Sequence, residues 1–274
     1  MGEHNVVKAS QRPWFASDVA SMAASLGVSP GDTLVVHTRM SAMGWVCGGP
    51  QAVVEGLLAA LGEAGTLVMP AHSGANSDPA LWCNPPVPVE WWEPIRLNMP
   101  AFSEKRTPTR GVGCVAELFR SWPGTLRSSH PSGSFSARGP NAGFITKGSS
   151  LDFPFGDRSP LARVFDLDGK VLLIGVGYGN NTSMHLGEYR SGILPAIRQG
   201  AAVMAENGRQ WAWYHDIDSD SDIFPEIGEE FEKAGGAVSK GKICQAHSML
   251  MRQRDIVSFT ADFLRKRRTC RTSR

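Results

Sequence analysis

Three short, uninterrupted apolar runs punctuate this chain: Thr33-Leu-Val-Val-His37, Thr66-Leu-Val-Met69 and Lys170-Val-Leu-Leu-Ile-Gly175. They are too short for buried helices and too continuous for half-exposed strands. A run of about four to eight apolar, β-branched residues is what a strand needs when both of its faces are covered. Between the first two runs lies a helical stretch from about Pro50 to Leu61, with proline in its first turn. Strand, helix and strand at that spacing predict a parallel pair joined by a crossover helix.

The rest of the chain keeps this alternation. Ser17 is placed to cap a helix whose Val19, Met22, Ala23 and Leu26 share one face, with Gly27 as its stop. Helices follow at about 112–121, from Ser183 and at 224–234, and an amphipathic one runs from about Asp255 to Arg267. Strands are expected near 133–138, 200–204, 209–215 and 238–244. No low-complexity linker interrupts the series. The expected fold class is therefore α/β: a single three-layer α/β/α domain over 1–274, its ordered core about 16–266, with a mostly parallel or mixed central sheet. The stretch 70–108 breaks the pattern, being rich in proline, carrying Trp82, Trp91 and Trp92, and showing no sustained period. Such a segment is either a lid or pocket wall, or an irregular surface insertion using its tryptophans as local core.

Composition narrows the class further. At 274 residues, 42% hydrophobic and 20% charged, the chain is an ordered globular protein and neither disordered nor a coiled coil. No apolar run approaches the ~18–20 residues of a membrane span. The first residues, MGEHNVVKAS, lack the apolar stretch of a secretory signal. The five cysteines are scattered, odd in number and without a C-x-x-C, which points to free thiols in a reducing compartment. A cytoplasmic protein is expected. Its net charge of +2 is misleading: residues 265–274 hold six basic and no acidic residues, so residues 1–264 carry −4. The tail has no interleaved aromatic and no groove-reading motif beside it, so a frayed, solvated end is expected, with neither a nucleic-acid nor a membrane partner.

Several motifs fail on inspection. Gly236-Ala-Val-Ser-Lys-Gly-Lys242 has P-loop spacing, but Ile243 stands where a hydroxyl must hold magnesium. Gly175, Gly177 and Gly179 follow a strand, yet Asn180 spoils the dinucleotide fingerprint. Neither G-x-S-x-G nor H-E-x-x-H occurs. His185 and Glu188 form a better constellation. At i and i+3 in the first turns of a helix, they share a face just beyond the carboxyl end of a buried strand, where open α/β sheets bind ligands. By spacing alone, a helix-surface pair without function is the competing reading. His37 leads into the small-residue turn Thr38-Arg-Met40-Ser41-Ala-Met-Gly44, and His130–Gly139 is a second hydroxyl-rich turn. Such turns expose N–H groups to phosphates or an oxyanion, or simply connect strands to helices. The acidic run Asp216, Asp218, Asp220 and Asp222 lacks the glycine and terminal Glu of a calcium loop, and reads as a solvated loop or a polyamine site.

Taken in order, VVHTRMSAMGWVCGGPQAVVEGLLAALGEAGTLVMP, PPVPVEWW, TPTRGVG, RSSHPSGSFSARG, LDGKVLLIGVGYGNNTSMHLGEYRSG and RQRDIVSF resemble the antibiotic N-acetyltransferase family, the aminoglycoside 3-N-acetyltransferases and their relatives, over roughly residues 16–266. The resemblance implies acetyl transfer from acetyl-CoA, without a metal, to the 3-amino group of an aminoglycoside, an antibiotic-resistance activity. Its alternatives are another small cationic amine as acceptor, or a CoA-binding module without transferase activity. The family's T-S/T-x-H-x-x-E pattern falls on Thr182, Ser183, His185 and Glu188, making His185 the general base and Glu188 its support. The resemblance places His37, Thr38, Met40, Ser41 and Gly44, with Ser134, Phe135 and Ala137, along the CoA cleft. Glu188, Asp216, Asp218, Asp220 and Trp91 fall on the substrate side. The segment with Trp91 and Trp92 resembles only one branch of the family. Oligomeric state is not expressed in any of these motifs.

Overall fold

The computed structural model describes residues 3–272, without the side chains of 268–272. Its strands are β1 (Thr33–Thr38), β2 (Thr66–Pro70), β3 (Leu126–Arg127), β4 (Phe135–Arg138), β5 (Lys170–Ile174), β6 (Ala196–Ala205), β7 (Gly208–Ile217), β8 (Val238–Ile243) and β9 (Ala246–Arg252). Seven of them form one mixed sheet in the order β3-β4-β2-β1-β5-β9-β8, and β6 and β7 form a separate ribbon. The three apolar runs are its parallel centre: Val35 of β1 lies opposite Val68 of β2 on one side and Val171 of β5 on the other. The flanking β4 and β9 are antiparallel.

Around the sheet stand α1 (Glu3–Ala9), α2 (Ala16–Leu26), α3 (Gly49–Leu61), α4 (Trp92–Asn98), α5 (Gly113–Arg120), α6 (Ala142–Thr146), α7 (Pro160–Asp166), α8 (Ser183–Ser191), α9 (Phe224–Lys233) and α10 (Gln253–Thr272). The strand period of two explains the layering. Leu34, Val36, Leu67, Met69, Leu172 and Ile174 face one core, which α2, α3 and α5 close. Val35, Val68, Val171 and Leu173 alternate with them and face a second core, closed by α6 to α10. Each of these side chains is fully buried, worth about 1.5–3 kcal/mol apiece for the larger aliphatics. A strand buried on both faces has no place for a polar residue until its end. That end is where His37 and His72 appear.

Some local expectations are corrected. Ser17 lies inside α2; the cap is Phe15, whose N–H donates to Asp18 at 2.9 Å. The strand near 238–244 is half of a hairpin: β9 follows at once, with Cys244 at positive φ in the turn. The stretch 70–108 is not wholly irregular, since it contains α4, which packs against the ribbon through Arg96 over the Trp213 ring. The basic run at 265–274 continues α10 to Thr272, with Arg267 paired to Glu226 of α9 at 2.7 Å. It therefore does not begin as a frayed end. The remainder of that expectation, Ser273, Arg274 and the side chains of 268–272, lies outside the described residues. No helix among the described residues is long and apolar enough to cross a membrane.

Candidate active site

A cleft of about 1020 Å³ opens beyond the carboxyl ends of β2, β1 and β5. Its walls are the turn His37–Ala42, the segment Gly111–Cys114 at the start of α5, Gly175–Gly177 with Gly179 and Asn180 after β5, and Gln245 with the first two residues of β9, Ala246 and His247. His185 in the first turn of α8 and His72 just past β2 complete it.

His185 and Glu188 meet as an i, i+3 pair on α8, with Nδ1 and Oε2 2.5 Å apart. The carboxylate is wholly enclosed, its side chain 1% exposed, and its second oxygen accepts the backbone N–H of Asp220 at 2.9 Å. A carboxylate can only accept, so the Nδ1 proton belongs to the imidazole, and in the neutral ring this fixes the tautomer whose lone pair is on Nε2. The ring is held from two sides: Phe155 stacks on it at 5.3 Å and Phe224 meets it edge-on at 4.8 Å. Orientation, tautomer and a buried counter-charge are thus all supplied to one imidazole, the arrangement a general base needs.

Close packing behind the helix fixes this pair. Gly187, between His185 and Glu188, faces Thr260 of α10 so closely that a Cβ there would sit 2.6 Å from the threonine Cβ. The wall Tyr178–Asn180 is fixed likewise: Tyr178 donates to Glu232 at 2.9 Å, and its ring lies against Gly228 of α9, where a Cβ would come within 2.1 Å.

Of the residues expected along the CoA cleft, His37, Thr38, Met40 and Ser41 line the cavity. Gly44, at φ 79°, is turned away beside Gln245 and Ser10. Ser134, Phe135 and Ala137 are not in the cleft wall. All three are fully buried; Ser134 Oγ donates to the carbonyl of Ala71 at 2.7 Å, and Phe135 and Ala137 point into the second core. Strand pairing with β2 consumes that segment, leaving it no face for a ligand.

The expected substrate carboxylates are also dispersed. Glu188 is committed to His185 and Asp220. Asp216, on β7, accepts the Tyr189 hydroxyl and the Ile217 N–H. Burial raises its carboxyl above the ordinary range and outweighs those hydrogen bonds. Asp218 and Asp220 are exposed, and the Asp220 side chain caps the following turn by accepting from Asp222 N–H at 2.9 Å. Trp91 is 55% exposed in the turn before α4 and is not part of the cleft wall. No aspartate or glutamate lines the cavity among the described residues.

Other residues at the site carried no sequence signal strong enough to be singled out. His72 stands past β2 as His37 stands at the end of β1, and that equivalence was the available clue. Burial lowers His37 to about 4 and His72 to about 3, with nearby imidazoles adding to the effect, so both stay neutral at ordinary pH. Phe155, on a loop distant in sequence, gave no clue. No group of three or more His, Cys, Asp or Glu side chains is placed to hold a metal among the described residues.

Comparison with known proteins agrees with this geometry. The family model for aminoglycoside 3-N-acetyltransferase matches residues 35–265. The SPbeta prophage-derived aminoglycoside N(3')-acetyltransferase-like protein YokD of Bacillus subtilis (strain 168) is 38% identical over 255 residues, 93% of each chain. Its crystal structure superposes with a TM-score of 0.93, covering 95% of this chain and 97% of the other, at 37% identity. AAC-IIIb, solved as a binary complex with CoASH, superposes with a TM-score of 0.80 at 28% identity, over 93% of this chain and 98% of that one. AAC-VIa bound to sisomicin does so with a TM-score of 0.82 at 28% identity, over 93% and 99%.

Proposed function

The chain belongs to the aminoglycoside 3-N-acetyltransferase family, and on that premise we propose that it is an acetyl-CoA-dependent N-acetyltransferase acting on the 3-amino group of an aminoglycoside, an antibiotic-resistance activity. The observation that carries this reading is the enclosed His185–Glu188 pair at the mouth of a cleft large enough for two ligands. Acetyl-CoA would supply an activated acyl group. The turn His37–Ser41 and the glycines of Gly175–Gly179 would hold it, since glycine lets backbone come close to a ligand, and a neighbour in the family is solved with CoASH.

As the amine nitrogen bonds the acetyl carbon, His185 Nε2 takes its proton; the thioester C–S bond then breaks, and CoA leaves as the free thiol with a proton returned by the imidazolium. Glu188 stabilises the imidazolium that forms and holds the ring in its productive tautomer. Backbone N–H groups at Met40–Ser41 or at Gly177–Tyr178 take up negative charge developing on the carbonyl oxygen. We read the chain as one domain, because both cores are built on the same sheet, and we place it in a reducing cytoplasm, in keeping with free Cys47, Cys83, Cys114 and Cys244.

His185→Ala is expected to abolish release of free thiol from acetyl-CoA in the presence of an aminoglycoside panel, while the affinity for acetyl-CoA stays within about twofold. Near-normal turnover by this variant would sink the assignment. A different small amine as acceptor is favoured by one observation, the cavity wall without carboxylates. Turnover with such an amine and none with the panel would establish it.

A further inference from the structure

His72 has a ring packed in the cleft wall, and neither ring nitrogen makes a hydrogen bond of good geometry among the described residues, although the backbone of Ser134 lies near enough to act on the ring. Its backbone is fixed: its carbonyl accepts from Arg110 N–H at 2.8 Å, and the next residue, Ser73, donates to Ser132 at 3.0 Å. Its ring meets Phe135 edge-on at 5.0 Å and Phe155 at 5.3 Å. Phe155 is the same ring that stacks on His185 at 5.3 Å, so one phenyl separates the two imidazoles. Yet both His72 nitrogens are buried without a hydrogen-bond partner among the described residues. His37, 6% exposed, has an Nε2 in the same condition facing the same cleft. Buried polar atoms are nearly always satisfied, so a pair of orphaned imidazoles bordering one cavity marks a place where a ligand completes the bonding.

We infer that His72 is a specificity-determining residue for the acceptor, hydrogen-bonding an uncharged hydroxyl or ether oxygen next to the reacting amine, as an amino sugar or amino alcohol provides. The inference rests on the transferase reading above. The acceptor and not acetyl-CoA is assigned to it because His72 lies at the β2 end of the cleft, away from the β5 turn. That end is tied to the ribbon by Asn76, which bonds Ala202, and by Ser132, which bonds Tyr214. Burial keeps the imidazole neutral, with one donor and one acceptor to offer and no charge. With no carboxylate lining the cavity, recognition at this end is by neutral hydrogen bonds.

The test separates binding from packing by giving them opposite signs. His72→Phe keeps the ring and its contacts with Phe135 and Phe155 and removes only the nitrogens. With sisomicin as acceptor, its KM is expected to rise about tenfold, the worth of one hydrogen bond, with kcat less affected. The Kd for CoASH should stay within about twofold, and the Tm of the ligand-free protein should be equal or higher. His72→Gln, which restores a donor and an acceptor, should recover most of the KM. An unchanged KM for sisomicin in His72→Phe overturns the inference, as does a fall in Tm with KM intact, or a weaker CoASH Kd in place of the KM effect. If the wild-type protein binds CoASH but turns over no member of the aminoglycoside panel, sisomicin included, the aminoglycoside reading fails, and this inference with it. A wild-type enzyme that is active, with a variant that does not differ, sinks the inference alone.

Discussion

Single side chains at this site are defined by what they have already bonded. Glu188 has each oxygen engaged once and a side chain only 1% exposed, so it presents no surface to an ammonium ion. Asp216 makes the contrast. Its partners are neutral donors, Tyr189 O–H and Ile217 N–H, so burial dominates and favours the protonated acid. A carboxyl whose folded pKa is raised holds more protons in the native than in the unfolded state. Its ionisation therefore removes stability as pH climbs from the unfolded carboxylate range through the folded value. Asp216→Asn keeps an acceptor for both donors and never ionises. Its Tm is expected to exceed that of the wild type at pH 7, with the gap closing as pH falls through the carboxylate range. A gap that does not depend on pH would contradict this account.

At the scale of elements, α8 matters most, because it carries His185 and Glu188 on one face and presses Gly187 against α10 on the other. The helix has little apolar character of its own; its place comes from backbone contact with Thr260 and Val257. Gly187→Ala must push the two helices apart. It is expected to cost about 1–3 kcal/mol, as overpacking generally does, read as a lower urea midpoint. Turnover should fall by more than the loss of folded protein explains, since the shift moves His185 and Glu188 together relative to the cleft. Loss of stability with full activity per folded molecule would separate the helix contact from the chemistry.

Over the whole molecule, a buried guanidinium gathers both ends of the long excursion 70–108 onto the sheet, beside the bonds of Ser73 to Ser132 and Asn76 to Ala202. Arg127 donates to the carbonyls of Ala71, Glu104 and Thr107 and to the hydroxyls of Ser73 and Ser134, at 2.5–3.2 Å. Burial lowers its pKa to about 10, so it remains charged at neutral pH. Lysine has three donors on a single nitrogen and cannot serve five acceptors spread over this area. Arg127→Lys is expected to open residues 70–108 to limited proteolysis at least about tenfold faster, with the far-ultraviolet spectrum of the sheet unchanged. Because His72 sits at the root of this excursion, the acceptor KM should rise as well.

What the sequence determined by itself is the part of the molecule set by local pattern. Apolar runs buried on both faces specified β1, β2 and β5 as core strands, the helix between the first two made those two parallel, and the spacing of His185 and Glu188 put both on one helical face; that β5 joins β1 in parallel came from the structure. The resemblance to the family gave that pair the role proposed for it. Only the tertiary structure decided what those residues meet. The N–H of Asp220 on Glu188, Phe155 on His185, and His72 bordering the same cleft as His37 all join positions far apart in the chain, where no period links them. Ser134, Phe135 and Ala137 show the converse. Their small, hydroxyl-rich setting resembles a ligand loop, but pairing with β2 buries them, because a backbone edge inside a sheet must bond its neighbour before it can bond a ligand.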